Sequence, residues 1–316
     1  MLKDFCFAAV VAVFALTGCN EKNVEPDETA AGDSADKIQL TVRVPESATK
    51  VTGTSSDDAV KDLQVFVFDK NGVYETSSQG SGSSLSLTCT TGEKTVVALV
   101  NAPQEVEVDN ITELRSRTSD LKDCSPDAIV MAGELTQELQ ASSSLTITVE
   151  RLAAKVAVDQ IRTDFELDQH KNLTFNVKAI YLVNVAGERA YLTGNTPSSW
   201  YNKGAYVAAT SPSFLYDKVT SGVIADGASY NTRHHFYCYP NATATKTRIV
   251  VEAELGGYTY YYPVTLDKID PNTSYTYSLT ITRLGSDSPD QPVEDGTVQF
   301  SVVVKDWVEH DVDEII

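Results

Sequence analysis

The sequence predicts an all-β protein built as two tandem β-sandwich domains, with one short helix in the first. Three observations carry this. Apolar residues fall mostly in short runs that alternate with polar ones, the two-residue period of half-buried strands. Thr, Ser, Val and Tyr are plentiful while Met occurs twice in 316 residues, a composition of strands rather than helices. Gly, Asn and Pro punctuate the runs at close intervals, giving roughly seven strands to each half.

The N-terminus sets the compartment. Lys3 precedes an apolar run over 5–16 that is too short to span a bilayer, and Leu16-Thr17-Gly18-Cys19 ends it in small residues. Residues 1–18 therefore read as a secretory signal. The last four residues resemble a bacterial lipobox, which implies cleavage behind Gly18 and lipidation of Cys19. Each buried lipid methylene adds about 0.8 kcal/mol, so several chains on one cysteine hold a precursor at a membrane. Residues 19–36, rich in Glu, Asp, Ala and Gly without apolar period, read as a disordered tether. The chain carries 44 acidic and 25 basic residues, a formal charge of −19. That charge argues against nucleic acid or an anionic membrane surface as partner.

Residues 37–158 are read as the first domain. Ile38, Leu40, Val42 and Val44 alternate with Gln39, Thr41 and Arg43, placing four apolar side chains on one face of a strand. Pro45 ends the pairing, and the polar run through Ser56 carries Lys50 into an exposed, cuttable loop. The segment 37–50 is accordingly read as removable, its place taken by a strand of another copy. Residues 63–69 form the next strand, and Asn71-Gly72 is a turn that tolerates positive φ at both positions. Val73 and Tyr74 begin its partner, 79–84 is a Gly/Ser loop, and 85–90 and 95–101 complete a meander. Asn110 and Glu113 have the capping spacing that opens a helix, expected to run to about 123 before Pro126. Strands over 128–131 and 145–158 follow, with the domain boundary near Val158.

The second domain, 159–316, holds strands over 173–185 and 235–240, then a hairpin over 247–254 and 258–266 turning at Gly256-Gly257. Strands over 274–283 and 298–304 follow. The span 194–228 is a long loop with Trp200, Tyr201, Tyr206, Phe214 and Tyr216. Once Cys6 leaves with the signal and Cys19 is acylated, Cys89, Cys124 and Cys238 remain. In an oxidising compartment Cys89 and Cys124 are able to pair, leaving Cys238 free and buried, although three cysteines fix no framework.

Six features in order resemble the type V fimbrillins, the FimA/Mfa-like major or accessory fimbrial subunits of the Bacteroidales. They are the lipobox at Cys19; the strand 40–45 with its basic loop; Leu63-Gln-Val-Phe-Val-Phe-Asp; Ala98-Leu-Val-Asn101; Glu150-Arg-Leu-Ala-Ala-Lys-Val156; and residues 272–282 with the late Lys305-Asp-Trp307. The order is more specific than any one motif. The resemblance implies a structural subunit of a surface fimbria, exported as a lipid-anchored outer-membrane precursor and then assembled at the cell surface. It implies that a trypsin-like protease removes the leading segment and that the opened groove takes the C-terminal strand of the next subunit. On this chain the cut follows Lys50 and frees Val51. Better-known members carry Arg there, whereas Arg43 lies within the strand. The partners implied are other fimbrial subunits and the maturation protease, with a host or bacterial surface ligand left open.

The donor strand is read as residues 307–316, opened by Trp307 and carrying Val308, Val312 and Ile316 on one face. His310 and Glu314 share that face, and the acids are expected to stay at the rim of the groove; the alternatives are a contribution from 298–304 or an accessory subunit with a weaker tail. Refilling a groove for four apolar side chains is worth about 6–12 kcal/mol as an upper bound. Competing readings are weaker. His234, His235 and Cys238 cannot all face one way on a strand, and structural zinc needs four ligands. Asp311, Asp313 and Glu314 lack the glycine turn of a Ca²⁺ loop. No nucleophile elbow, zinc-protease motif or phosphate loop occurs; no enzyme, cofactor or metal is expected. The second functional reading is a glycan-binding surface lipoprotein that stacks sugars on Trp200 and on Tyr258, Tyr260, Tyr261, Tyr262, Tyr275 and Tyr277.

Overall fold

The computed structural model describes residues 36–45, 57, 59–103, 106–293 and 297–306. Its first half contains β1 (Lys37–Arg43), β2 (Asp62–Asp69), β3 (Tyr74–Ser81), β4 (Ser84–Thr90) and β5 (Gly92–Val100). Helix α1 (Ile111–Ser116), β6 (Thr118–Asp120), β7 (Met131–Leu139), β8 (Ser143–Thr146) and β9 (Glu150–Arg151) follow. They form a three-stranded sheet in the order β4-β1-β8 and a five-stranded sheet in the order β3-β2-β5-β7-β9.

The expected meander is corrected by this arrangement. Chain neighbours β4 and β5 lie in different sheets, because their burial patterns differ. In β4, Leu87 and Cys89 are buried and Leu85 half-buried while Ser84, Ser86 and Thr88 are exposed. Such a strand has one wet face. β2 is buried on both faces: Leu63, Val65 and Val67 meet the core below β1, and Phe66 and Phe68 enter the larger core on the other side. A strand covered on both sides reads as a continuous apolar run.

Local turn chemistry differs in detail from the reading of the sequence. Between β2 and β3 only Gly72 has positive φ, 78°. The Asp69 carboxylate closes the turn by accepting from Asn71 N at 2.8 Å and Val73 N at 2.9 Å. Half of the span read as a Gly/Ser loop, residues 79–81, is the end of β3, and the turn is confined to Gly82 and Ser83 before β4. Helix α1 has the expected cap, with Asn110 Oδ1 accepting from Glu113 N at 2.9 Å, but stops at Ser116. The cause is tertiary: the next residues form β6, which pairs with a strand of the second half.

The second half contains β10 (Ala154–Thr163), α2 (Asp168–Lys171), β11 (Phe175–Val183), β12 (Val185–Ala186), β13 (Glu188–Ala190), β14 (Trp200–Tyr201) and β15 (Tyr216–Lys218). Then come β16 (Val223–Ile224), β17 (Ser229–Tyr230), β18 (His234–Cys238), β19 (Arg248–Leu255), β20 (Tyr258–Thr265), β21 (Thr273–Ile281) and β22 (Val298–Asp306). One sheet has the order β17-β10-β21-β22, with β18 also on β10; the other has β15-β11-β19-β20, with β16 on β11. Both contribute to the main core. The single strand expected over 145–158 is three, and the sheets change over between Arg151 and Ala154. The span 194–228 is also less bare than expected, because β14, β15 and β16 lie within it.

Candidate site around the first strand

β1 is the middle strand of its sheet. It runs antiparallel to β4, with Ile38 opposite Cys89, Leu40 opposite Leu87 and Val42 opposite Leu85. On its other edge it runs parallel to β8, with Leu40 opposite Ser143 and Val42 opposite Leu145. Beyond the strand, Thr91 N donates to Asp36 O, Val44 N to Ser83 O and Ile147 N to Arg43 O, each at 2.9 Å. On the wet face Gln39 Nε2 donates to Thr88 Oγ1 at 3.1 Å, and the Thr41 and Ser86 hydroxyls share a bond of 3.0 Å.

The dry face belongs to a core of its own. Ile38, Leu40, Val42 and Val44 pack with Leu63, Val65 and Val67 of β2, Val96, Ala98 and Val100 of β5, and Leu145 and Ile147 beside β8. Leu40 and Val42 have no exposed surface. The connection leaving β8 crosses close over β7: a Cβ on Gly133 would stand 2.1 Å from Thr148 O. Removing β1 alone would therefore leave β4 and β8 held apart by the second sheet, with two unpaired edges facing an apolar slot.

The last described strand is the counterpart. Among the described residues β22 pairs only with β21, placing Phe300 opposite Leu279, Val302 opposite Tyr277 and Val304 opposite Tyr275. Those β21 partners are buried, yet Phe300, Val302 and Val304 are 50%, 39% and 55% exposed. An edge strand with an uncovered apolar row is a template for pairing with another chain. Sequence reasoning named residues 298–304 only as an alternative contributor; the Val298, Phe300, Val302, Val304 alternation was the available signal. Cys19, Lys50, Val51, Trp307, Val308, Val312 and Ile316 lie outside the described residues.

Other expected sites resolve differently. Cys89 and Cys124 are free thiols, a correction to their pairing. Cys89 lies in the core beneath β1 and Cys124 in the main core, where it shares a 3.4 Å bond with the Tyr239 hydroxyl. Burial raises both thiols and pushes Cys238 up to about 12. His234 is engaged at both ring nitrogens, by Tyr230 OH at 2.9 Å and Asp217 Oδ2 at 3.0 Å. No cluster able to hold a metal occurs among the described residues. Of the aromatic set, Tyr262, Tyr275 and Tyr277 are buried in the main core; Trp200, Tyr260 and Tyr261 are half-buried and Tyr258 is exposed.

Among the described residues, the first strand is the centre of its sheet and the last lies at an edge with its apolar row exposed, in a protein of the β-sandwich class. Residues 37–195 match the family model of the major fimbrial subunit protein (FimA), and the chain belongs to that family. It is thus a structural subunit of a cell-surface fimbria and not an enzyme. Solved structures share the fold, among them the following three. A candidate cell adhesion protein from Bacteroides eggerthii DSM 20697 has 20% identity and a TM-score of 0.70, covering 86% of this chain and 97% of its own. A fimbrilin (FimA) from Porphyromonas gingivalis W83 has 16% identity and a TM-score of 0.65, covering 85% and 97%. The tip fimbrial protein Mfa3 from Porphyromonas gingivalis, with a C-terminal truncation, has 13% identity and a TM-score of 0.55, covering 86% and 100%. No curated protein matches the chain in sequence.

Proposed function

We propose that this fimbrial subunit polymerises by strand exchange after proteolysis. The precursor is exported as a lipoprotein through Cys19 to the outer membrane, cleavage after Lys50 frees Val51, and β1 departs. A C-terminal strand of another subunit fills the slot between β4 and β8. On this reading residues up to 153 form the receiving domain and the remainder the donating one. The partners are other fimbrial subunits and a lysine-directed protease.

The observation that supports this most is the position of β1 as the central strand of its sheet, upstream of every other described strand. A strand that no other described strand precedes can leave after one cut without threading the chain through a loop. Once it is gone, a row of backbone groups and a four-residue apolar groove need a partner. β22 fits by pattern: Val298, Gln299, Phe300, Ser301, Val302 and Val304 match Ile38, Gln39, Leu40, Thr41, Val42 and Val44 in polarity and spacing, and the match departs at Val303, which stands where β1 has Arg43. Residues 307–316 extend the same donor.

The test is limited trypsin treatment of purified precursor, followed by N-terminal sequencing and electron microscopy. Fibres whose subunits begin at Val51 are expected. Fibres formed equally well from uncut precursor, or cut protein that stays monomeric, would overturn the reading.

A further inference from the structure

Asn101 closes β5 in the left-handed region, with φ of 55°, a conformation Asn reaches more readily than most side chains. Its buried side chain staples the entry to β2. Oδ1 accepts from Lys61 N at 2.9 Å and Asp62 N at 3.3 Å, while Nδ2 donates to Ala59 O at 2.8 Å and Ile129 O at 3.0 Å. The Asn101 backbone N donates to Asp62 O at 2.9 Å, and Lys61 O accepts from Gly82 N at 3.1 Å. A second fastener lies a few residues upstream. Asp57 is 3% exposed; its carboxylate accepts from Lys155 Nζ at 2.7 Å and from Tyr237 OH at 2.6 Å. Lys155 and Tyr237 are opposite one another on β10 and β18.

Lys61 is the first basic residue after Lys50, and it is exposed. A lysine-directed protease able to use Lys50 would recognise its side chain equally well. Cleavage nevertheless requires the backbone on both sides of the bond to enter the protease in extended form, so a bond held in hydrogen bonds is cut only when that segment opens. The Lys61–Asp62 bond is held on both sides.

We propose that Asn101, assisted by Asp57, is a proteolytic stop, positioning the chain so that lysine-directed cleavage removes β1 and spares β2. The inference rests on the maturation reading above. It assigns a role to the Asn that ends Ala98-Leu-Val-Asn101: Leu99 and Val100 fill the cores, whereas the buried Asn101 side chain is held by the four hydrogen bonds above. The stop also keeps the freed end attached to the second-half sheet through Asp57, while Leu63 and Val65 remain in the groove floor for the incoming strand.

The test digests the full chain with a lysine-specific endoproteinase and follows cuts after Lys50, after Lys61 and at other lysines by mass spectrometry. In the unaltered protein the Lys61 cut is expected to be about tenfold or more slower than the Lys50 cut. Asn101→Gly keeps the backbone conformation and removes the staple; it should speed the Lys61 cut about tenfold or more relative to the other lysines. Should Asn101→Gly fail to fold, Asp57→Asn carries the same comparison. A Lys61 cut as fast as a readily cut Lys50 in the unaltered protein, or an unchanged Lys61 rate relative to the other lysines in the folded variants, would overturn the stop. If Lys50 resists cutting while the variants expose Lys61, the maturation reading fails and the stop stands.

Discussion

Truncating Leu40 to Ala separates the two states that strand exchange connects. Leu40 has no exposed surface and lies between Leu87 of β4 and the residues of β2 and β5. Burying a leucine and then leaving a cavity gives losses of about 2–5 kcal/mol, and the central position of this side chain places the expected loss near 3. That loss applies only while β1 is present. Urea unfolding of full-length Leu40→Ala precursor should show a midpoint shift equivalent to about 3 kcal/mol at an unchanged slope. Fibres assembled from the same protein after cleavage should match those of the unaltered chain in resistance to urea. Leu63→Ala, on β2 in the same core, is the internal comparison, because it remains in both states and should weaken both. Fibres of Leu40→Ala weakened as much as fibres of Leu63→Ala would mean that β1 stays in the polymer, and the reasoning from the slot would be refuted.

Three further outcomes are expected. Val302→Arg on the exposed face of β22 should change monomer stability by no more than about 0.5 kcal/mol while abolishing fibres, as read by calorimetry and electron microscopy; fibres of normal yield would exclude this strand as donor. Alkylation needs the thiolate, and burial raises the Cys89, Cys124 and Cys238 thiols, the last to about 12. All three should therefore resist iodoacetamide near pH 8 in folded protein and react on unfolding without reductant, whereas a Cys89–Cys124 disulfide would leave only Cys238 of the three to react. Gly133→Ala should destabilise the precursor by about 1–3 kcal/mol in thermal or urea unfolding, because its methyl would meet Thr148 O; a neutral result would show that the crossing beside β8 yields easily.

The sequence alone determined the class and most of the strands, because a two-residue period with turn residues between runs leaves few alternatives to sheet. Ile38, Leu40, Val42 and Val44 were legible as one apolar face since alternation is a local property, as was the Asn110 cap of α1. What tertiary structure decided was which strand lies beside which. β4 abandons its chain neighbours for β1, β8 runs parallel to β1 from a distance of a hundred residues, and α1 ends early because β6 finds β13. Such pairings depend on long-range register and on closing large loops, which no short window of sequence encodes. The same holds for Asn101, whose side chain ties residues some forty positions upstream and twenty-eight downstream. Its letter was visible in the chain; its partners exist only once the sheets have packed.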